Sequence, residues 1–324
     1  MTTKPIFSPR FKQTSDLAVI VACDANYLPY ASVVAKQFGD AGTKGVDILI
    51  GGPEPVDLPD FLVAEGIGHV AAKDSTLLDS LPLDARRSLA TYMELFLGTA
   101  LCGLYRRILV IDADILYERG DVGRLLSADM AGAAVAAVRD NRQWRTRDRK
   151  VAEFKALNEP AHPYFNAGVV MIDTGAFAAD DLPAKAAEFA RKHLAGLGRD
   201  QALMNGILKG DWREISPLWN WQFTTASAHL TSMVDPCLVH FIGTRKPWLE
   251  VSKGVVPMRM RRAFGDVLAR HFPDAPQVAE AEARHWPAAK DLRAALFRQW
   301  RAAGRMMDYL NRFPNEYTLI DPRA

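Results

Sequence analysis

The sequence predicts an α/β protein with a mixed, mostly parallel sheet flanked by helices and a helical appendage at the C-terminus. Three observations carry this expectation. Apolar, β-branched runs alternate with helix-patterned segments through the first half; those runs are apolar throughout instead of at every second residue; and the composition shifts to helix formers after Pro257. Continuous apolar strands belong to parallel sheets covered on both faces, and intervening helices supply the crossovers that parallel pairing requires.

In chain order, "MTTKPIFSPRFKQTSD" carries no apolar signal core and reads as a polar lead-in, which argues against secretion. "LAVIVACD" (17–24) is the first buried strand, "YASVVAKQFG" its helix, and "VDILIGG" and "GHVAAKD" are further strands. A helix over about 85–103 leads into the strand "RILVID" (107–112), and "GAAVAAVRD" adds another, so the first half reads as a Rossmann-like, doubly wound half-domain. In the second half, "NAGVVMID" (166–173) and "CLVHFIG" (237–243) are strand candidates, with helices near 175–194 and 199–209 between them. "WREISPLWNWQF" is a strand or an aromatic loop. Beyond Pro257, "RMRRAFGDVLARHF" and "DLRAALFRQWRAAGRMMDYLNRF" are helices separated by proline-bearing segments. The expected organisation is a lead-in at 1–16, an α/β domain at 17–257 and a basic, aromatic helical region at 258–324.

With 324 residues, 49% hydrophobic and 24% charged, the chain is long enough for one large domain with an appendage, and disordered, collagenous and disulfide-framework classes are excluded. A net charge of +2 gives no ground for a nucleic-acid partner. Cys23, Cys102 and Cys237 lie in or beside apolar segments and are expected to be buried, reduced thiols, which suits a cytoplasmic protein. The longest apolar run, "MAGAAVAAV", is far short of the roughly 20 residues that span a bilayer.

Chemistry concentrates where "RILVID" ends, in Asp112 and Asp114. Ligands in open α/β sheets bind beyond the carboxyl ends of strands, and residues two apart in extended chain face one side. Two hard oxygen donors there suit Mg²⁺ or Mn²⁺; a solvated turn fits a bare D-x-D equally well. Four other segments stand out: "VACDANYLPYASV", "PYFNAGVVMID", "GRDQALMNGIL" and "HFIGTRKPW". Each also has a plain structural reading: a turn after a strand, a turn needing Asn and Gly, a helix N-cap at Asp200, and a core histidine at His240.

Taken together, these segments, in this order around "RRILVIDADILYERGDVGRLL", resemble nucleotide-sugar glycosyltransferases with the GT-A fold, in detail glycosyltransferase family 8, over about residues 17–250. The resemblance implies a metal site of Asp112, Asp114 and His240 holding Mn²⁺ or Mg²⁺. It puts Ala22, Asp24, Asn26 and Tyr27 around the uridine, where an acceptor takes the uracil imide proton and a Tyr face stacks on the ring. Ala113, Gly168, Gly243 and Lys246 fall against the rest of the donor, and Asn166, Asp200 and Gln201 beside the reacting sugar. The implied activity is a retaining, metal-dependent hexosyltransfer from a UDP-sugar to a glycan or glycolipid acceptor, as in lipopolysaccharide assembly. Front-side attack is the expected route to retention, with Asp200 and Gln201 as orienting groups, because an amide is a poor nucleophile.

One position departs from the family pattern. Where the family carries a donor-facing arginine in "Y-x-R-L", this chain reads "TYMELF", with Glu94 in its place. A carboxylate accepts hydrogen bonds from sugar hydroxyls but cannot pair with donor oxygens. A nucleotide-sugar-binding protein without transfer activity therefore stands as an alternative. A sugar nucleotidyltransferase is a second, although "ACDANYLPY" is neither Gly-rich nor basic as its phosphate loop would be.

Two basic regions remain. Residues 139–165 form a candidate arginine-rich lid, fitted either to an anionic acceptor or to water. In the C-terminal region, Arg259, Arg261, Arg262 and Arg270 lie on one helix. On the other, Leu292, Leu296, Trp300, Ala303, Met307 and Leu310 fall at helical spacing among arginines. Such a stripe either packs on the domain or lies peripherally on an anionic membrane surface at the inner face of the plasma membrane.

Overall fold

The computed structural model describes residues 4–74, 77, 80, 81, 88–194, 200–224, 228–249, 256–278 and 289–324. Its main sheet has eight strands: β1 (Ile6–Phe7), β2 (Leu17–Ala22), β3 (Asp47–Gly52), β4 (Gly68–Ala71), β5 (Arg107–Asp112), β7 (Val135–Arg139), β8 (Phe165–Asp173) and β9 (Arg213–Glu214), in the spatial order β1-β4-β3-β2-β5-β8-β7-β9. A second sheet of β6 (Ile115–Tyr117), β10 (Trp221–Gln222) and β11 (Leu238–His240) has the order β10-β11-β6. Helices of eight residues or more are α1 (Leu28–Asp40), α2 (Met93–Ala100), α3 (Leu182–Phe189), α4 (Asp200–Leu208), α5 (Met258–His271) and α6 (Ala289–Leu310).

The uninterrupted apolar runs are explained by burial on both sides. On β2, Val19 and Val21 join the core that includes Val34 and Phe38 of α1, whereas Ala18 and Ile20 join the one that includes Phe96 and Leu97 of α2. Strands β4, β3, β2 and β5 pair in parallel, as the alternation predicts. "GAAVAAVRD" does not continue that ladder. Strand β8 lies between β5 and β7, antiparallel to both, so the sheet is mixed beyond β5. Most of the lead-in is irregular, but Ile6–Phe7 adds to β4 as an antiparallel edge strand.

Several elements differ from their expected form. Of the helix expected over 85–103, the described part is a 3₁₀ turn at Leu89–Tyr92 followed by α2; residues 85–87 lie outside the described residues. The helix expected near 175–194 is broken: Asp181 takes a left-handed φ of 47°, and Pro183 occupies the first turn of α3, where its missing N–H costs nothing. Cys23 and Cys237 are buried as expected, but Cys102 is exposed, because α2 ends at Ala100 and the chain turns outward.

The C-terminal helices pack on the domain, one of the two readings open to their apolar stripe. Helix α5 packs Phe264 and Leu268 into the core; Arg259 pairs with Glu118, and Arg261 is buried with its Nε donating to the Pro247 carbonyl. On α6 the buried residues are Gln299, Met306 and Tyr309, while Leu296, Trp300 and Met307 face solvent. The arginine-rich stretch is partly internal: Arg139 forms a fully buried ion pair with Glu214, and Glu214 accepts further hydrogen bonds from Tyr309 and Arg312. Arg142 is held by Asp140 and Glu153, leaving Arg145, Arg147 and Arg149 exposed. Among the described residues, no helix is long and apolar enough to cross a membrane.

Candidate functional site

The carboxylate pair converges through a turn, not through continued extension. Strand β5 ends at Asp112, the chain turns at Ala113–Asp114, and β6 begins at Ile115. Pairing of β6 with β11 sets His240 opposite Ile115, and the Phe241 N–H donates to the Asp114 carbonyl. The imidazole Nε2 then lies 3.2 Å from Asp114 Oδ1 and 3.6 Å from Asp112 Oδ2. Ala113 turns its side chain into the core, so only its backbone is left to meet a ligand.

Room for this cluster comes from Gly168 on β8. A Cβ there would sit 2.1 Å from His240 Cε1 and 2.9 Å from Asp112 Oδ2. The resemblance sets Gly168 against the donor; in the structure its missing Cβ also leaves room for the His240 imidazole. Gly243 differs in kind. Its φ of 78° is a left-handed conformation, and open space surrounds its Cα, so it serves the turn after β11.

The three side chains suit a divalent cation. One ligand atom from each of Asp112, Asp114 and His240 lies within 4.8 Å of the others. Asp114 Oδ1 is buried and receives no hydrogen bond, although it faces the imidazole nitrogen. Two acceptor atoms opposed in this way are reconciled by a cation between them, and a mixed carboxylate–imidazole set without a thiolate suits a divalent ion. Burial pushes the Asp114 carboxyl up, but the neighbouring His240 and the Lys246 ammonium outweigh it and hold the group well below the usual carboxylate range. Asp114 is thus an anion at neutral pH. Lys246 also donates to the Phe241 carbonyl at 2.7 Å, which fixes the loop after β11 beside the cluster.

A directional hydrogen-bond chain leads away from His240. Its Nδ1 lies 3.0 Å from Asn220 Oδ1; Asn220 Nδ2 donates to Asn166 Oδ1 at 2.8 Å; Asn166 Nδ2 donates to Gln201 Oε1 at 3.2 Å; and Gln201 Nε2 donates to Asp140 Oδ2 at 2.8 Å. Asn166 and Gln201 were expected beside the reacting sugar, and the chain joins them to the metal cluster. Asp200 opens α4, but its side chain lies outside the described residues. Asn220 and Asp140 were missed. Asp140 follows β7 as Asp112 closes β5, a strand-end signal that was legible; Asn220, wholly buried between Trp219 and Trp221, had no motif to mark it.

The first-strand residues line the same edge. Ala22 pairs with Asp112 across β2 and β5. Asp24 Oδ1 accepts the N–H groups of Asn26 and Tyr27, forming the turn that leads into α1. Tyr27 is 43% exposed and meets the edge of Trp248, whose indole stacks on Tyr30 at 3.8 Å. The α1 end and the Lys246 loop are therefore packed together. Glu94 is buried in the first turn of α2.

Comparison with known proteins addresses the family and the fold. General stress protein A of Bacillus subtilis (strain 168) is 30% identical over 159 residues, 44% of this chain and 53% of that protein. The lipopolysaccharide 1,3-galactosyltransferase of Salmonella typhimurium is 28% identical over 187 residues, 54% of each. The chain thus spans about half the length of the curated relatives it matches. Among solved structures, the galactosyltransferase LgtC in complex with donor and acceptor sugar analogs has a TM-score of 0.61 at 21% identity, covering 77% of this chain and 95% of that one. At that identity the likeness concerns the fold, which is the GT-A fold. The profile of Glycosyl transferase family 8 matches residues 18–252, from β2 through β11 and its loop, so Asp112, Asp114 and His240 all lie inside it, and the chain belongs to that family.

Proposed function

We propose that this chain is a retaining hexosyltransferase that uses a UDP-sugar and a divalent cation, Mn²⁺ or Mg²⁺, to glycosylate a glycan or lipid-linked glycan of the lipopolysaccharide type. The supporting observation is the unpartnered, buried Asp114 Oδ1 facing His240 Nε2 within the Asp112–Asp114–His240 cluster. A bound cation supplies Lewis-acid neutralisation of the charge that builds on the departing diphosphate. Lys246 adds a second positive charge on the same side. Ala22, Asp24, Asn26 and Tyr27 hold the uridine, with the exposed Tyr27 face available for stacking. Asn166, Gln201 and Asp200 orient the sugar for front-side attack, which requires positioning more than a nucleophile. In this reading residues 17–257 form the catalytic unit and 258–324 a helical region docked on it.

The test is a panel of UDP-sugars. Incubated with Mn²⁺ in the absence of acceptor, one of them is expected to release UDP slowly, and chelation is expected to stop the release. Binding of the whole panel without release would favour a sugar-nucleotide-binding role, consistent with a carboxylate at Glu94.

A specific surface favours a further element of this reading. Met233, Leu296, Phe297 and Trp300 are 79%, 48%, 56% and 72% exposed, among Arg293, Arg298 and Arg301. Apolar and cationic side chains presented together suit an anionic lipid interface, where a membrane-borne acceptor would be met. Co-sedimentation with vesicles containing phosphatidylglycerol is expected, with most binding lost at high salt; equal binding to neutral vesicles, or none to either, removes the membrane from the account.

A further inference from the structure

We propose that Asn220 is a positioning residue for the metal half of the site: oriented by Asn166, it locks His240 in the Nδ1–H tautomer. This rests on the metal reading proposed above. Amide and imidazole orientations are ordinarily ambiguous, because O and N are nearly isosteric. Here the polarity is fixed from both ends of the chain by groups that cannot flip.

At one end the backbone N–H of Gly168 donates to Asn166 Oδ1 at 3.1 Å. That N–H has no alternative polarity, so the oxygen of Asn166 faces Gly168 and Asn220, and its amide nitrogen faces Gln201. Asn220 must then give its Nδ2 to Asn166, which leaves Oδ1 for His240. An oxygen at 3.0 Å requires a proton on His240 Nδ1. At the far end, Asp140 can only accept, and it is held by Arg142 Nε at 2.8 Å. Gln201 therefore offers Nε2 to Asp140 and turns Oε1 to Asn166, the same polarity reached independently. A neutral His240 that keeps its Nδ1 proton carries its lone pair on Nε2, the atom that faces Asp112 and Asp114.

Asn220 is built to hold this position. It ends a 3₁₀ turn (Pro217–Asn220) capped by Ser216, and the next residue starts β10, which pairs in parallel with β11. The flanking indoles are anchored as well: Trp219 Nε1 donates to the Glu316 carbonyl at 2.9 Å and Trp221 Nε1 to Thr231 Oγ1 at 2.8 Å.

The experiment compares the full chain with Asn220→Leu and Asn220→Asp. Mn²⁺ affinity is read from the electron paramagnetic resonance of free Mn²⁺. The His240 tautomer is read in the metal-free protein by ¹⁵N–¹H correlation, with the signal assigned by its loss in His240→Gln. Wild type is expected to show the Nδ1–H tautomer. Asn220→Leu should populate Nε2–H and bind Mn²⁺ about 10–100-fold more weakly. Asn220→Asp retains an acceptor for Nδ1–H and should bind at least as tightly as wild type, while its lost donor frees Asn166. Wild-type Mn²⁺ affinity in Asn220→Leu would overturn the proposal. So would an Nε2–H tautomer in the wild type, a result that holds even if the leucine variant fails to fold. Absence of Mn²⁺ binding by the wild type would sink the metal reading instead, with the wild-type tautomer still deciding the role of Asn220.

Discussion

Asp112→Ala is expected to lower Mn²⁺-dependent turnover of the preferred UDP-sugar by about three orders of magnitude, the scale of the several kcal/mol that Lewis-acid stabilisation contributes to such transfers. The substitution isolates function from folding. The Asp112 side chain is 51% exposed and stands at a strand end, so its removal leaves the core untouched and should move stability by no more than about 0.5 kcal/mol. Asp114 offers no such clean test, because it is buried and paired with Lys246, and removing it would take the carboxylate partner from that ammonium. Thermal unfolding and turnover measured on one Asp112→Ala preparation therefore discriminate. Unchanged activity in that variant, with a chelator present, would eliminate the metal assignment.

Gly168→Ala is expected to be more damaging than any single methyl group on an exposed strand end. The added Cβ would lie 2.1 Å from His240 Cε1 and 2.5 Å from its Nδ1, inside van der Waals contact. Retreat of strand β8 is limited, since it pairs with β5 from Val169 onward and with β7 at Asn166 and Val170 on either side of Gly168. The imidazole must move, and with it the distances of 3.2 and 3.6 Å that gather the cluster. We expect overpacking to cost about 1–3 kcal/mol of stability and Mn²⁺ affinity to fall by about 100-fold or more. A folded Gly168→Ala protein that binds Mn²⁺ like the wild type would show that His240 is not a ligand.

Much of the α/β half was legible in the sequence. Apolar runs such as "LAVIVA" and "RILVID" identify strands buried on both faces because burial acts on each residue where it stands. The D-x-D at a strand exit was visible for the same reason. The arrangement beyond β5 was not, since the same apolar run "NAGVVMID" suits a parallel or an antiparallel neighbour and only long-range pairing chooses. The stripe on α6 carries a similar lesson. Its period announces a helix with an apolar face, but the buried residues are Gln299, Met306 and Tyr309, selected by Leu230, Glu214 and the core they meet. Arg139 and Arg142, read as part of a charged lid, are satisfied internally by acidic residues far along the chain or on the adjoining turn.

By itself the sequence determined the local facts: which segments are strands and which strand ends carry carboxylates. Tertiary structure decided how those facts meet. The β6–β11 pairing brings His240 to Asp114 from 126 positions away in the chain, Gly168 opens the space between them, and Asn220 gives the imidazole its polarity. The division has a physical cause. Periodicity and burial are properties of neighbouring residues, whereas a metal shell and an oriented hydrogen-bond chain require side chains from β5, β8, β11 and α4 to converge within a few ångströms, which only strand register can arrange.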